Sequence, residues 1–200
     1  VRYADDFVVC FQYRDEAERF LIELKERLRK FGLELHGEKT RLIEFGRFAA
    51  QNRRRRGDPA PETFSFLGFR HICGGTRKGA FLLFRHTDTK RLRAKLKEVK
   101  AELRTRMHNP SDAQGAWLRA VVRGYFNYHA VPTNSDALAA FRHQVVGHWH
   151  HALRRRGQRH RINWERMRRI ADRWLPRARI QQPWPEQRFG AKTQGRSRMR

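Results

Sequence analysis

Through the first 85 or so positions apolar residues alternate with polar ones or come in short bursts; over the next 90 they recur every three or four positions. That change of period marks a passage from strand-bearing to helical chain. The opening "VRYADDFVVC" places β-branched and aromatic residues at 1–3 and 7–11 around two adjacent carboxylates, predicting two short strands and a tight turn. Phe20, Leu21, Leu24, Leu28 and Phe31 then share one helical face. With Asp15 placed to cap it and Gly32 to end it, the spacing predicts a helix over 15–31. "GLELHGEKTRLIEF" reads as two extended runs turning at His36-Gly37, and 46–62 as an exposed loop. "TFSFLGFRHI" (63–72) reads as a strand broken by Gly74-Gly75, with "AFLLF" as one more.

From about residue 88 the helical period takes over. Leu92, Leu96, Val99 and Leu103 form an apolar row on a basic surface, stopped by Asn109-Pro110. A second helix, capped by Ser111 or Asp112, runs through Trp117, Leu118, Val121, Val122, Tyr125 and Phe126 to near His129. Pro132 breaks the chain, a third helix spans about 136–156 from a Ser135 or Asp136 cap, and a fourth spans about 163–173. The fold class is therefore α+β over 1–84, followed by a basic α-helical bundle over 85–175. Residues 176–200, rich in Pro, Gln, Gly and Arg, read as a tail that folds only against a partner.

Charge sharpens this division. Lys and Arg number 45 against 20 Asp and Glu, a net charge of +25. By successive blocks of fifty residues the basic and acidic counts are 10 against 10, 14 against 4, 5 against 3 and 16 against 3. A chain this basic repels itself unless a polyanion takes up the charge, which points to nucleic acid. Cys10 and Cys73 lack metal-site spacing and read as buried free thiols of a reducing compartment. No apolar run reaches membrane-spanning length and no signal peptide is visible. Val1 begins inside an apparent strand, so the chain is expected to be a piece of a longer one.

Several residues carry candidate chemistry. Asp5 and Asp6 are either a solvated turn or hard oxygen donors for a metal. Arg53, Arg54, Arg55 and Arg56 form a run suited to phosphate contact or to simple solvation. A second basic cluster holds Arg154, Arg155, Arg156, Arg159, Arg161, Arg168 and Arg169, with Trp149, Trp164 and Trp174 interleaved to stack bases or to pack helices. "HWHH" at 148–151 has no Cys or carboxylate at ligand spacing, so it reads as helix-face histidines near RNA rather than a zinc site.

The series "YADD", "GLELHGEKT" and "FSFLGF", in this order and at these distances, resembles the palm of reverse transcriptases from the metal-binding hairpin onward. It resembles in particular the reverse transcriptase/maturase proteins of bacterial group II introns, whose thumb and maturase region is similar to "WLRAVVRGYFNYHAVP" and "HRINWERMRRIADRWLP". The resemblance covers nearly the whole chain. It implies the C-terminal half of a right-hand polymerase palm followed by a helical thumb/maturase domain. Asp5 and Asp6 would then be catalytic ligands for Mg²⁺, completed by another aspartate on an upstream palm strand that this chain lacks. Lys39 would meet the phosphates of the incoming deoxynucleoside triphosphate. Tyr3 would lie beside the nucleic acid or pack in the hairpin. Phe66, Leu67, Gly68 and Phe69 would form the primer grip. The implied partners are group II intron RNA, an RNA template with its DNA primer, and deoxynucleoside triphosphates, in a bacterial cytoplasm and at the nucleoid. The implied activity is RNA-directed DNA polymerisation together with assistance to intron splicing. With half a metal site, the chain is expected not to polymerise DNA alone. The rival expectation is an RNA-binding splicing cofactor or decayed remnant without catalysis.

Overall fold

A computed structural model describes residues 1–156, 162–184 and 187. The chain opens with a small ribbon, β1 (Arg2–Tyr3) antiparallel to β2 (Asp6–Phe7), followed by helix α1 (Arg14–Arg29). Asp15 sits in the first turn of α1, not at its cap, which is Tyr13. The left-handed Gly32 (φ 67°) turns the chain back, so that the Leu33 N–H reaches the Leu28 carbonyl at 3.0 Å. The two extended runs expected around His36-Gly37 form no ladder. A strand is stable only when its N–H and C=O groups find a neighbouring edge, and these runs find none among the described residues.

The expected 46–62 loop contains a helix, α2 (Ala49–Arg56), closed by the left-handed Gly57. Its sequence, "AAQNRRRR", has no apolar period, but alanine and arginine are strong helix formers. Next comes a three-stranded antiparallel sheet, β3 (Phe64–Phe66), β4 (Phe69–Gly75) and β5 (Phe81–Thr87), in that order. The single strand expected at 63–72 is thus a hairpin turning at Leu67-Gly68. Gly74 and Gly75 stay inside β4 and do not break it. A Cβ at Gly74 would stand 2.1 Å from the Phe84 ring, so the glycine makes room for that ring to lie across the sheet.

The helical half holds the main core. Helices α3 (Thr89–Thr105), α4 (Ser111–His129), α5 (Ser135–Arg154) and α6 (Trp164–Trp174) pack around Leu103, Leu118, Phe126, Phe141, Trp149 and Met167, all essentially inaccessible. Inside this core the Trp149 Nε1–H donates to Gln114 Oε1 (2.9 Å), and Gln114 Nε2 donates to the Arg106 carbonyl (2.5 Å). A buried amide so satisfied ties α4, α5 and the end of α3 together. No helix among the described residues is long and apolar enough to cross a membrane.

A polar staple joins sheet to bundle. Asn134, buried ahead of α5, accepts from the Thr87 N–H (2.9 Å) and donates to Thr87 Oγ1 (2.7 Å) and to the His129 carbonyl (2.8 Å). One residue earlier, Thr133 Oγ1 accepts from the Arg85 N–H at 2.9 Å. By contrast, eleven of the fifteen exposed large apolar side chains among the described residues lie between Val1 and Phe48, so the first quarter of the chain carries much unburied apolar surface. Cys10 is exposed there, correcting the expectation of a buried thiol; Cys73 is half-buried and accepts a hydrogen bond from the Gly46 N–H.

Candidate nucleic-acid interface

The paired carboxylates stand at the tip of the first ribbon. Tyr3 pairs with Asp6 across the ladder, so the turn is Ala4-Asp5, with Ala4 left-handed (φ 51°). The Val1 amino group and the Val8 N–H close the open end through bonds of 2.7 and 2.8 Å. Both carboxylates face solvent, as does Tyr3 at 66% exposure. Asp5 occupies the turn itself and Asp6 the first position of β2, so both stand at the tip of the ribbon. Two hard oxygen donors suit part of a Mg²⁺ shell. No group of three or more His, Cys, Asp or Glu side chains converges among the described residues, so the pair has no third ligand within that set. Lys39 lies exposed in the turn that follows His36, where the Lys39 and Thr40 N–H groups both reach the His36 carbonyl.

The tetrapeptide Phe66-Leu67-Gly68-Phe69 is a two-residue β-turn. Leu67 and Gly68 both have positive φ (48° and 77°), the signature of a type I′ turn, whose twist matches that of the flanking strands. Glycine accepts this conformation readily; leucine is strained in it. The bundle holds the turn from behind. Tyr128 Oη donates to the Leu67 carbonyl at 2.8 Å, and its ring stacks on Phe69 with centroids 5.7 Å apart. The Asp88 N–H donates to the Gly68 carbonyl at 2.9 Å, and the Arg91 side chain lies where a Gly68 Cβ would touch it at 3.3 Å. Asp88 is also the cap of α3. Burial acts to raise its carboxyl pKa, but bonds from the Arg91 and Lys90 N–H groups and from Ser65 Oγ prevail and hold it below the usual range.

With this turn in place the match to known proteins has a structural frame. Residues 1–71 match the family model of the reverse transcriptase (RNA-dependent DNA polymerase) domain. No curated protein and no solved structure matches the chain. The reverse transcriptase match runs from the carboxylate ribbon through α1 and α2 and ends within β4, just past the Leu67-Gly68 turn.

The basic side chains divide sharply. Arg53 donates to the Pro59 carbonyl, and Arg56 pairs with Glu44 and Asp58. The Arg56 bond keeps the Glu44 carboxyl below its ordinary pKa. Arg54 and Arg55 point outward with no such partner among the described residues. Arg156 donates to the carbonyls of Met107 and Asn109, closing the loop after α3, and burial lowers its pKa. Arg169 pairs with Glu165 at 3.0 Å. Arg154, Arg155 and Arg168 remain exposed, while Arg159 and Arg161 lie outside the described residues. Of the interleaved tryptophans, Trp149 is core, Trp174 is half-buried, and Trp164 is 48% exposed beside the His150 ring. His150 donates its Nε2–H to the Ile162 carbonyl at 2.7 Å and so serves packing.

Sequence reading missed Tyr128, Arg91 and Asn134, because each acts on a residue about 20 to 60 positions away. The Asp-Thr-Lys start of α3 was the one local signal, since aspartate before a helical row is a cap.

Proposed function

We propose that this chain is the C-terminal part of a group II intron reverse transcriptase/maturase, with residues 1–84 as the end of the palm and 85–175 as the thumb and maturase domain. Supporting this most directly is the reverse transcriptase match over 1–71, together with a strained Phe66-Leu67-Gly68-Phe69 turn braced by the helical half. Strain of this kind persists where a backbone must present itself closely to a partner, here a primer strand. In this reading Asp5 and Asp6 hold Mg²⁺ together with a carboxylate from elsewhere in the polymerase, and the metal would supply charge neutralisation at the reacting phosphate. The exposed Lys39 offers a point charge to the incoming triphosphate. The exposed apolar residues of 1–48 form the surface on which further polymerase elements would seat. Of the two arginine clusters, Arg54, Arg55, Arg154, Arg155 and Arg168 are exposed side chains available for intron RNA.

The test takes the polymerase that contains these residues along with a complete palm. Replacing Asp5 and Asp6 with Ala is expected to abolish primer extension while sparing RNA affinity; cDNA synthesis at the unmodified rate would overturn the assignment. The 200-residue chain by itself is expected to bind RNA without extending a primer. A second reading, a splicing cofactor without catalysis, is favoured by the self-contained core of the helical half. It prevails if the unmodified full polymerase supports splicing but never extends a primer.

A further inference from the structure

One ridge of α4 repeats every four residues: Gly115, Arg119, Arg123 and Asn127. Residues so spaced stand one above another on a helix, about 6 Å apart along its axis. At the N-terminal end of the ridge a Cβ on Gly115 would lie 2.5 Å from Cδ2 and 2.6 Å from Cγ of Trp174. The bare glycine is therefore what allows the indole to rest against the helix. Facing the ridge is the chain leaving α6, fixed in place where the Gln181 and Gln182 N–H groups donate to the Ala130 carbonyl (2.9 and 3.0 Å) and Gln182 Nε2 donates to the Asn127 carbonyl (3.3 Å). Between them lies a cleft of about 620 Å³ lined by Arg119, Arg123, Asn127, Arg173 and Trp174.

The chemistry of this cleft is lopsided. Arg119, Arg123 and Arg173 form no ion pair among the described residues. The one carboxylate in the lining, Asp172, is taken by Arg142 at 2.7 Å. The Arg173 guanidinium carbon lies over the Trp174 ring, 5.6 Å from its centre, and so holds a positive charge beside the indole within the cleft. A packing tryptophan and a solvated arginine face would each be unremarkable alone. Here three unpartnered guanidiniums and a half-buried indole converge on a cleft within the 300–1,000 Å³ of typical ligand sites.

From this geometry we propose that the cleft takes one unpaired nucleotide of an RNA strand, with its base against Trp174 and consecutive phosphates on Arg119 and Arg123. The assignment rests on the RNA-handling role given above to the helical half and locates a contact there. Aromatic and guanidinium planes receive bases that have left the duplex, whereas a paired, stacked base has no free face to offer. The Asn127 amide adds a donor and an acceptor for a base edge or a 2′-hydroxyl.

The experiment uses the full chain and fluorescence anisotropy with a labelled single-stranded RNA octamer, a blunt RNA duplex of equal length, and inorganic phosphate as competitor, each over a KCl series. Arg119→Gln/Arg123→Gln, both exposed, is expected to weaken octamer binding and flatten its log–log salt slope by about 1.4, at about 0.7 per single-strand phosphate. Duplex binding should be unchanged. Trp174→Phe, which keeps an aromatic ring against Gly115, should also weaken the octamer selectively, and irradiation of a 4-thiouridine octamer should crosslink to the peptide containing Trp174. Octamer affinity and slope unmoved by the arginine variant would overturn the proposal while leaving the RNA-binding reading intact. Equal losses on octamer and duplex would make this a general phosphate-binding face, and competition by millimolar phosphate would make it an anion site; either overturns it. Failure of the unmodified chain to bind any RNA overturns this proposal and the functional reading together.

Discussion

Leu67 adopts a backbone conformation that the pattern around it does not suggest. The "FLGF" tetrapeptide alternates like a strand, yet Leu67 and Gly68 turn the chain through left-handed backbone. A leucine in that region costs roughly 1–2 kcal/mol relative to a residue at ease there. Asparagine is the favoured first residue of this turn. Leu67→Asn is therefore expected to raise stability by about 0.5–1 kcal/mol, part of the relieved strain being offset by lost apolar burial. Urea midpoints at matched slope measure it, and an unchanged or lower midpoint would mean the turn is not strained. If the strain serves the primer, the same variant in a complete polymerase should lose affinity for template–primer as it gains stability.

At the scale of elements, the junction between β5 and the α4–α5 loop joins sheet to bundle. His129 closes α4 with its ring among Phe69, Tyr125 and Tyr128, and its Nδ1 lies 3.4 Å from Thr87 Oγ1. Burial, reinforced by the nearby Arg91 charge, lowers its pKa from 6.5 to about 4. Between those two pH values the unfolded chain takes up a proton that the fold refuses. Its contribution to stability is thus complete above the unfolded value and is lost as pH falls through the window toward 4. His71 and His148, also lowered chiefly by burial, add to the same trend. The denaturation midpoint is accordingly expected to drop between pH 6.5 and 4, and His129→Gln to make that drop shallower. A pH profile identical in the variant would show that His129 titrates normally in the fold.

At the scale of the molecule, charge is distributed by what the fold consumes. A charge of +25 made every arginine cluster a candidate for RNA. The fold uses Arg53, Arg56, Arg156 and Arg169 for internal carbonyls and carboxylates, leaving Arg154 and Arg155 outward at the end of α5. Arg154→Gln/Arg155→Gln is therefore expected to flatten the salt slope of structured-RNA binding by about 1.4–1.8 units without loss of stability. Arg156→Gln should instead lower stability by about 0.5–1.5 kcal/mol, since it removes hydrogen bonds to the partly exposed carbonyls that close the loop after α3. Titrations in KCl and urea separate the two effects; an Arg156 variant that acts only on the salt slope would reverse these roles.

The helical half was legible from sequence because its signals are local. Leu96, Val99, Leu103, Leu118, Val122 and Phe126 recur at the helical period, and Pro110 and Pro132 interrupt it, so the helices lie close to where the pattern puts them. The order of motifs from Asp5-Asp6 to Phe69 was equally legible, and the reverse transcriptase match covers it. Helix α2 escaped because four consecutive arginines carry no apolar period, although their backbone propensity favours a helix. The ladder around His36-Gly37 failed for the opposite reason: its alternating pattern fits a strand, but a strand needs a partner edge that no local pattern supplies. Tertiary structure alone decided which arginines remain free, that Tyr128 holds the Leu67 turn, and that Gly115 admits Trp174 beside Arg119 and Arg123. Each of those depends on residues far apart in the chain meeting in space, and hydrophobic period encodes which face of an element is buried, not what that face will meet.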